Sequence, residues 1–294
     1  MLPAASLLMA GVCWGFVGTF ARFAVERGVD PSEIAFWRAV FAGATFTLWN
    51  FLGARRRIER ADRGRLLAFA TLGLGLLVLS NQKSIAHGGA GFGAIFLYAA
   101  PVWVALHGKF FRRERLSGLK AAALLATLLG VLGVGALGGG EMRFSTLALV
   151  WGVVSGLSYA LLYVLGRPYY AKYPAALWNG SAFVIAAVML APLVEFHPKD
   201  GVAWAGIAAG GVVSTVLSYA FYAWGLKRTN ATMASILCSS EPVVAIAAAY
   251  LVWGETMSAW GYASSALVLV GVTLAAFAES RAPVMAETEN PRSA

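Results

Sequence analysis

The sequence predicts an all-α polytopic membrane protein, ten transmembrane helices in two inverted five-helix repeats. Three observations lead there. Hydrophobic residues fill 59% of the 294 positions against 13% charged, with a mean hydropathy of +0.70, outside the balance of a soluble domain. Apolar runs of roughly 20 residues, enough at about 1.5 Å each to cross a hydrocarbon core of about 30 Å, recur from end to end. The second half of the chain also repeats landmarks of the first at a fixed separation.

The first run, 4–25, has no basic segment before it and continues past Trp14 toward Arg22, so it reads as a retained span and not as a cleaved signal. Runs 33–53 and 64–84 follow across an arginine-rich loop. The long apolar stretch 64–109 is divided at His87-Gly88-Gly89, where paired glycines mark a tight turn, which sets the fourth run at 90–109. Runs 118–138, 144–166, 175–194, 202–225, 231–253 and 258–278 complete the ten. The polar tail 282–294 is expected to be disordered.

Lys and Arg set the orientation. Arg55, Arg56, Arg57, Arg60, Arg63 and Arg65 follow the second run, and Lys109, Arg112, Arg113, Arg115 and Lys120 border the loop after the fourth. Arg167, Lys172, Lys227, Arg228, Arg281 and Arg292 bring the total on that side to 17 of 23. Positive loops stay in the cytoplasm, so both termini are expected there. The net charge of +9 is thereby accounted for by topology, with no continuous basic face for nucleic acid.

The repeat has a separation of 141 residues: Pro101 falls on Pro242, Glu114 on Glu255, Ala90 on Ala231, Gly130 on Gly271 and Trp37 on Trp178. A separation of 137 pairs Trp14-Gly15 with Trp151-Gly152, the change being assigned to a loop. Five helices per half force the second half, 144–279, to enter the membrane inverted relative to the first, 4–138. Such repeats point to alternating access around a site at their interface.

The stretches WGFVGTFARFAVERGVDPSEIAFWRAVFAG, YAAPVWVALHGKFFRRERLSGLKAAALLATLLGVLG and LCSSEPVVAIAAAYLVWGETMSAWGYASSALVLVGVTL resemble the EamA-type repeats of the drug/metabolite transporter superfamily. Each half has the pattern of a proline, a glutamate thirteen residues on and a glycine-rich helix. Length and Trp and Tyr content most resemble the aromatic amino acid exporter branch, sometimes called YddG. The resemblance implies a bacterial inner-membrane exporter of small organic solutes, aromatic and other apolar amino acids first, with other metabolites or drugs as the alternative.

The candidate site centres on 231–255. Glu241 lies mid-span, where a carboxylate costs about 2.5 to 3.5 kcal/mol on insertion scales unless partnered. It reads as a ligand for a substrate ammonium or a proton acceptor, or else as a structural carboxyl. Pro242 and its repeat partner Pro101 each remove a helical hydrogen bond, freeing the carbonyls of Cys238 and Leu97, and form a candidate pair of hinges. Tyr98, Ser239 and Ser240 beside them offer hydroxyls to a polar substrate or to neighbouring helices. Trp14, Trp103, Tyr159 and Tyr163 lie well inside their helices and either enclose an apolar side chain or pack against lipid; Asn81 is a further polar candidate. Trp204, Tyr169, Tyr170, Trp253 and Trp260, near helix ends, read as an interfacial belt.

Arg22 has Glu26 one turn on and is expected to reach outward; Arg38 is within reach of the outer interface or a substrate carboxylate, and sits in an FWRAVFA stretch that the resemblance assigns to architecture. Glu114 and Glu255 read as structural. Gly11/Gly15, Gly152/Gly156 and Gly206/Gly210 form GxxxG faces for close helix approach. Cys13 and Cys238 lie within apolar runs, and His87, His107 and His197 are widely separated, so no metal, cofactor or catalytic constellation is expected. With no GxxxxGK[ST] stretch, ATP-driven pumping by this chain is not expected either. The expected partners are a small-molecule substrate and the lipid bilayer.

Overall fold

The structure, a computed structural model, describes residues 2–53, 55–113, 117–137 and 143–280. Glu114 and the tail 282–294 lie outside the described residues. The helices are α1 (Pro3–Val25), α2 (Pro31–Leu52), α3 (Arg60–Gly88), α4 (Ala90–Phe111), α5 (Gly118–Leu137), α6 (Thr146–Lys172), α7 (Ala175–Leu193), α8 (Gly201–Leu226), α9 (Ala231–Trp253) and α10 (Ala259–Ser280). Among the described residues, nine are long and apolar enough to cross a membrane. At 22 residues α2 has the length but is diluted by Glu33, Arg38 and Asn50.

Local chemistry fixes the ends. The side chains of Asp30, Ser145, Asp200 and Asn230 accept from the backbone N–H groups of Ser32, Ala148, Ala203 and Met233, satisfying donors that open a helix. Gly89, at φ +86°, makes the turn between α3 and α4, as the paired glycines predict. The helix α6 runs to Lys172, past the expected end at 166, because Pro168 is accommodated within it.

Packing follows a pseudo-two-fold. The helices α2 and α7, repeat counterparts, pack on each other, as do α5 and α10; α1 lies on α8 and its counterpart α6 on α3. The first helix of each half therefore packs on the third helix of the other, and the halves interlock. At the α5–α10 crossing, a methyl carbon on Gly130 would fall 2.6 Å from Val268 N and one on Gly271 would fall 2.6 Å from Thr127 N, two contacts related by the same 141 residues. Only glycine admits that approach of backbones.

The prolines do more than kink. The helix α4 is broken at Tyr98-Ala99 into Ala90–Leu97 and Ala100–Phe111, and α9 at Ser239-Ser240 into Ala231–Cys238 and Glu241–Trp253. Each proline is the second residue of its later half-helix, where a missing N–H forfeits no intrahelical bond. Two further irregularities respect the repeat: π-helical turns at Phe69–Gly75 in α3 and Val212–Leu217 in α8. A third break, at Phe16 in α1, has no counterpart break in α6.

Two sequence expectations need correction. Gly152 and Gly156 meet Phe96 and Trp103 of α4 just as Gly11 and Gly15 meet Ser240 and Val244 of α9, so the 141-residue separation holds in α1 and α6 as well. The pairing of Trp14-Gly15 with Trp151-Gly152 is a coincidence of composition. Tyr169 and Tyr170 are buried and not part of a belt: Tyr169 stacks on Trp178 at 4.4 Å and Tyr170 donates to Asn179 Oδ1 at 2.6 Å. Trp260 remains exposed, as an interfacial ring should be.

Both ends carry ion networks that tie the halves together. On the arginine-rich side, Lys172 Nζ lies 2.7 Å from Glu59 and 2.6 Å from Asp62, and the Tyr173 hydroxyl donates to Asp62 at 2.6 Å. On the opposite side buried Glu33 meets Lys199 and, at 3.0 Å, His197 Nδ1, while Arg27 meets Asp200 at 2.9 Å. Each network joins the loop between the second and third helices of one half to the helix ends that flank the junction of the first two helices in the other.

Candidate functional site

Glu241 opens the later half of α9, ten residues beyond Ala231 and thus about 15 Å along the helix, close to mid-membrane. A carboxylate in the first turn of a helix meets its partial positive charge, which offsets some of the cost of burial. The Tyr159 hydroxyl from α6 donates to Glu241 Oε2 at 3.2 Å, and the hydroxyl of Tyr98, from the break in α4, faces the same carboxylate. The two broken helices thus bring their irregular residues to one place, each from a different half.

Aromatic rings form the adjoining wall. Trp14 of α1 lies 6.3 Å from Tyr159, 5.2 Å from Tyr219 and 5.4 Å from Tyr222, centroid to centroid, mostly edge to face. Tyr163 closes the ring at 5.5 Å from Tyr159 and 5.3 Å from Tyr222. Such geometry favours the ring quadrupoles and offers both faces and edges to a guest. Tyr222 carried no role in the sequence reading; its i, i+3 relation to Tyr219 puts both on one face of α8 and was the available signal.

Arg38 approaches from α2. Its Nε donates to Thr215 Oγ1 at 3.1 Å and its Nη2 to the Ser214 carbonyl at 3.4 Å, both in the π-helical turn of α8. Glu241 and Tyr219 are within its electrostatic reach.

The remaining sequence candidates serve helix contacts. Ser239 Oγ donates to the Ser235 carbonyl of its own helix at 3.0 Å. Ser240 Oγ is turned onto Gly11 of α1 and has no hydrogen-bond partner among the described residues. Asn81 Oδ1 is likewise buried without a partner, against Gly93 of α4, and Trp103 lies over Gly156 of α6. Pro101 and Pro242 are buried at their breaks. The structure thus gathers Trp14, Tyr98, Tyr159, Tyr163 and Glu241 and leaves Asn81, Trp103, Ser239 and Ser240 in interfaces between or within helices.

A cavity of about 620 Å³ opens on the side away from the arginines, between α1 and the later half of α9. The two helices touch at Gly11 and Gly15 and separate beyond: a methyl carbon on Gly18 would meet nothing within 4 Å. Ala245, one turn past Glu241, is at the deep end, and Arg22, Trp253 and Glu255 form the rim. There Arg22 pairs with Glu26 at 2.7 Å and with Glu255, its guanidinium 4.5 Å over the Trp253 ring. Glu255 thus joins α1 to the end of α9, while Ser258 Oγ accepts from Gly261 N at 3.0 Å to cap α10.

The inverted gap, between α6 and the later half of α4 on the arginine-rich side, holds only about 130 Å³. At the 141-residue separation Gly18 and Arg22 correspond to Tyr159 and Tyr163, two buried rings where α1 has a glycine and a partly exposed arginine. Of the two gaps, the one between α1 and α9 is the wider. Among the described residues no three of His, Cys, Asp and Glu come together as a metal site would require.

Residues 1–136 and 146–277 each match the EamA-like transporter family. A protein of Archaeoglobus fulgidus named as an uncharacterized transporter is 28% identical over 271 residues, 92% of this chain and 95% of its own. The uncharacterized inner membrane transporter YicL of Salmonella typhimurium is 24% identical over 284 residues, 92% of this chain and 93% of its own. A solved crystal structure superposes with a TM-score of 0.81 at 16% identity, covering 95% of this chain and 98% of that one, a likeness of fold alone. Matched in both halves, with its broken helices meeting at a partly buried carboxylate, the chain belongs to the EamA-like transporter family of multi-pass membrane proteins.

Proposed function

We propose that this transporter exports aromatic and other apolar amino acids by alternating access, with the substrate held beneath Trp14 against Glu241. The observation that carries the reading is the meeting of Glu241 from one broken helix with Tyr98 from the other, beside a ring of Trp14, Tyr159, Tyr163, Tyr219 and Tyr222. The carboxylate and hydroxyls receive an ammonium group, and the rings receive an apolar side chain. Pro101 and Pro242 act as the hinges at which the half-helices swing, closing the α1–α9 gap as the α4–α6 gap opens. The family resemblance supports an inner-membrane location, and the arginine distribution supports both termini in the cytoplasm, so that the wider α1–α9 gap faces outward.

Uptake into proteoliposomes of a panel of amino acids, nucleosides and sugar nucleotides tests this. Saturable flux of phenylalanine or tryptophan is expected; no amino acid flux above empty liposomes overturns it. Export of an organic amine is the second reading, favoured by the same carboxylate and aromatic cage, which recognise an ammonium group whatever else the molecule carries.

A further inference from the structure

We infer that Arg38 is the receptor for a substrate carboxylate, so that the site is built for a zwitterion with its ammonium group on Glu241 and its carboxylate on Arg38. The inference rests on the transport reading above and sharpens it.

Arg38 lies seven residues into α2, about 10 Å below the helix start, and is only partly covered. Its stem passes Gly210 of α8: a methyl carbon there would stand 3.6 Å from Arg38 Cδ. Its guanidinium turns inward to Thr215 and Ser214 and not out to the interface where a long side chain would normally lead it. Those two bonds use Nε and one Nη2 hydrogen, and Nη1 meets no acceptor among the described residues. Nor does any Asp or Glu among them come within ion-pair distance of Arg38, although almost every intramembrane cation is paired.

Thr215 leads one turn along α8 to Tyr219, Tyr219 touches Trp14, and Trp14 touches Tyr159, the donor to Glu241. A guanidinium with uncommitted hydrogens thus stands on the α2–α8 wall and a carboxylate on the α6–α9 wall, with the packed aromatic cluster between them. An amino acid laid across the cage satisfies both: its carboxylate accepts from the fork, its ammonium donates to Glu241, and its side chain enters the rings. A simple amine leaves the free Arg38 hydrogens without an acceptor, and a simple acid leaves Glu241 with only its tyrosine donors and the more distant Arg38.

The test compares L-phenylalanine with phenethylamine, which lacks the carboxylate, in proteoliposomes of wild type and Arg38→Gln. Wild type is expected to favour L-phenylalanine, and Arg38→Gln to lower the ratio of the two fluxes by about tenfold or more, since a site built to bond a group discriminates against the analogue lacking it. An unchanged ratio, with both fluxes reduced alike, makes Arg38 a structural pin of α8 and overturns the inference while leaving amino acid export standing. Flux of phenethylamine alone in wild type overturns the amino acid reading and the inference with it. Should Arg38→Gln not fold, inhibition of wild-type L-phenylalanine flux by unlabelled L-phenylalanine and by its methyl ester gives the same decision. The ester is expected to be the weaker inhibitor by about tenfold or more, and equal potency overturns the carboxylate receptor.

Discussion

Gly15→Ala and Gly18→Ala place the same methyl group on the same helix three residues apart, in opposite surroundings. On Gly15 it would fall 2.6 Å from Val244 Cβ and 3.0 Å from Ala245 N of α9; on Gly18 it would meet nothing within 4 Å. Carbon atoms rest at about 3.5–4.0 Å, so α1 and α9 must part by about 1 Å to admit the first methyl. Overpacking of this kind costs about 1–3 kcal/mol. Replacing glycine by alanine in a helix contributes about 0.8–1.0 kcal/mol in the other direction at both sites, and this gain cancels when the two variants are compared. Gly15→Ala should therefore be less stable than Gly18→Ala by about 1–3 kcal/mol in reversible unfolding in mixed micelles, followed by tryptophan fluorescence. Equal stabilities, or Gly18→Ala as the weaker protein, would refute the claim that the helices touch at one glycine and diverge at the next.

The other expectations concern the carboxylates. Glu241→Gln and Tyr98→Phe should each reduce amino acid flux by about tenfold or more with the protein still monodisperse, because the first removes the charge that receives an ammonium group and the second a hydroxyl at the site. Glu255→Gln, at an exposed rim pair, should change stability by no more than about 1 kcal/mol and leave flux within about twofold. Asp62→Asn weakens a buried acceptor of Lys172 and Tyr173 and should destabilise by about 1–3 kcal/mol in the same unfolding assay. Asp200 is held below the usual carboxylate range first by the Ala203 backbone N–H and then by Arg27. The stability it adds is present above the unfolded carboxyl value of about 3.9 and is lost as pH falls through its lower folded value, so wild type and Asp200→Asn should converge on acidification below about pH 4.

What could be read from the sequence was what depends on residue type at a given depth. The prolines locate both breaks because ring chemistry forbids an uninterrupted helix, and Glu241 draws notice because charge in lipid needs a reason. The π-helical turns gave no such signal: i→i+5 bonding at Phe69–Gly75 and Val212–Leu217 has no residue-type signature comparable to a proline. Tyr169 and Tyr170 were misread because nearness to a helix end sets depth and not direction, and their direction is fixed by Trp178 and Asn179 of α7. Arg38 was read as architecture, and its two bonds to α8 agree with that; the fork it leaves uncommitted is visible only once α8 is beside it.

Counterflow of labelled L-phenylalanine into liposomes preloaded with the unlabelled amino acid tests the central claim most directly. A saturable influx is expected, accelerated by internal substrate and lost in a folded Glu241→Gln variant. Influx that is linear in concentration and indifferent to internal substrate, or that persists undiminished in Glu241→Gln, would contradict it.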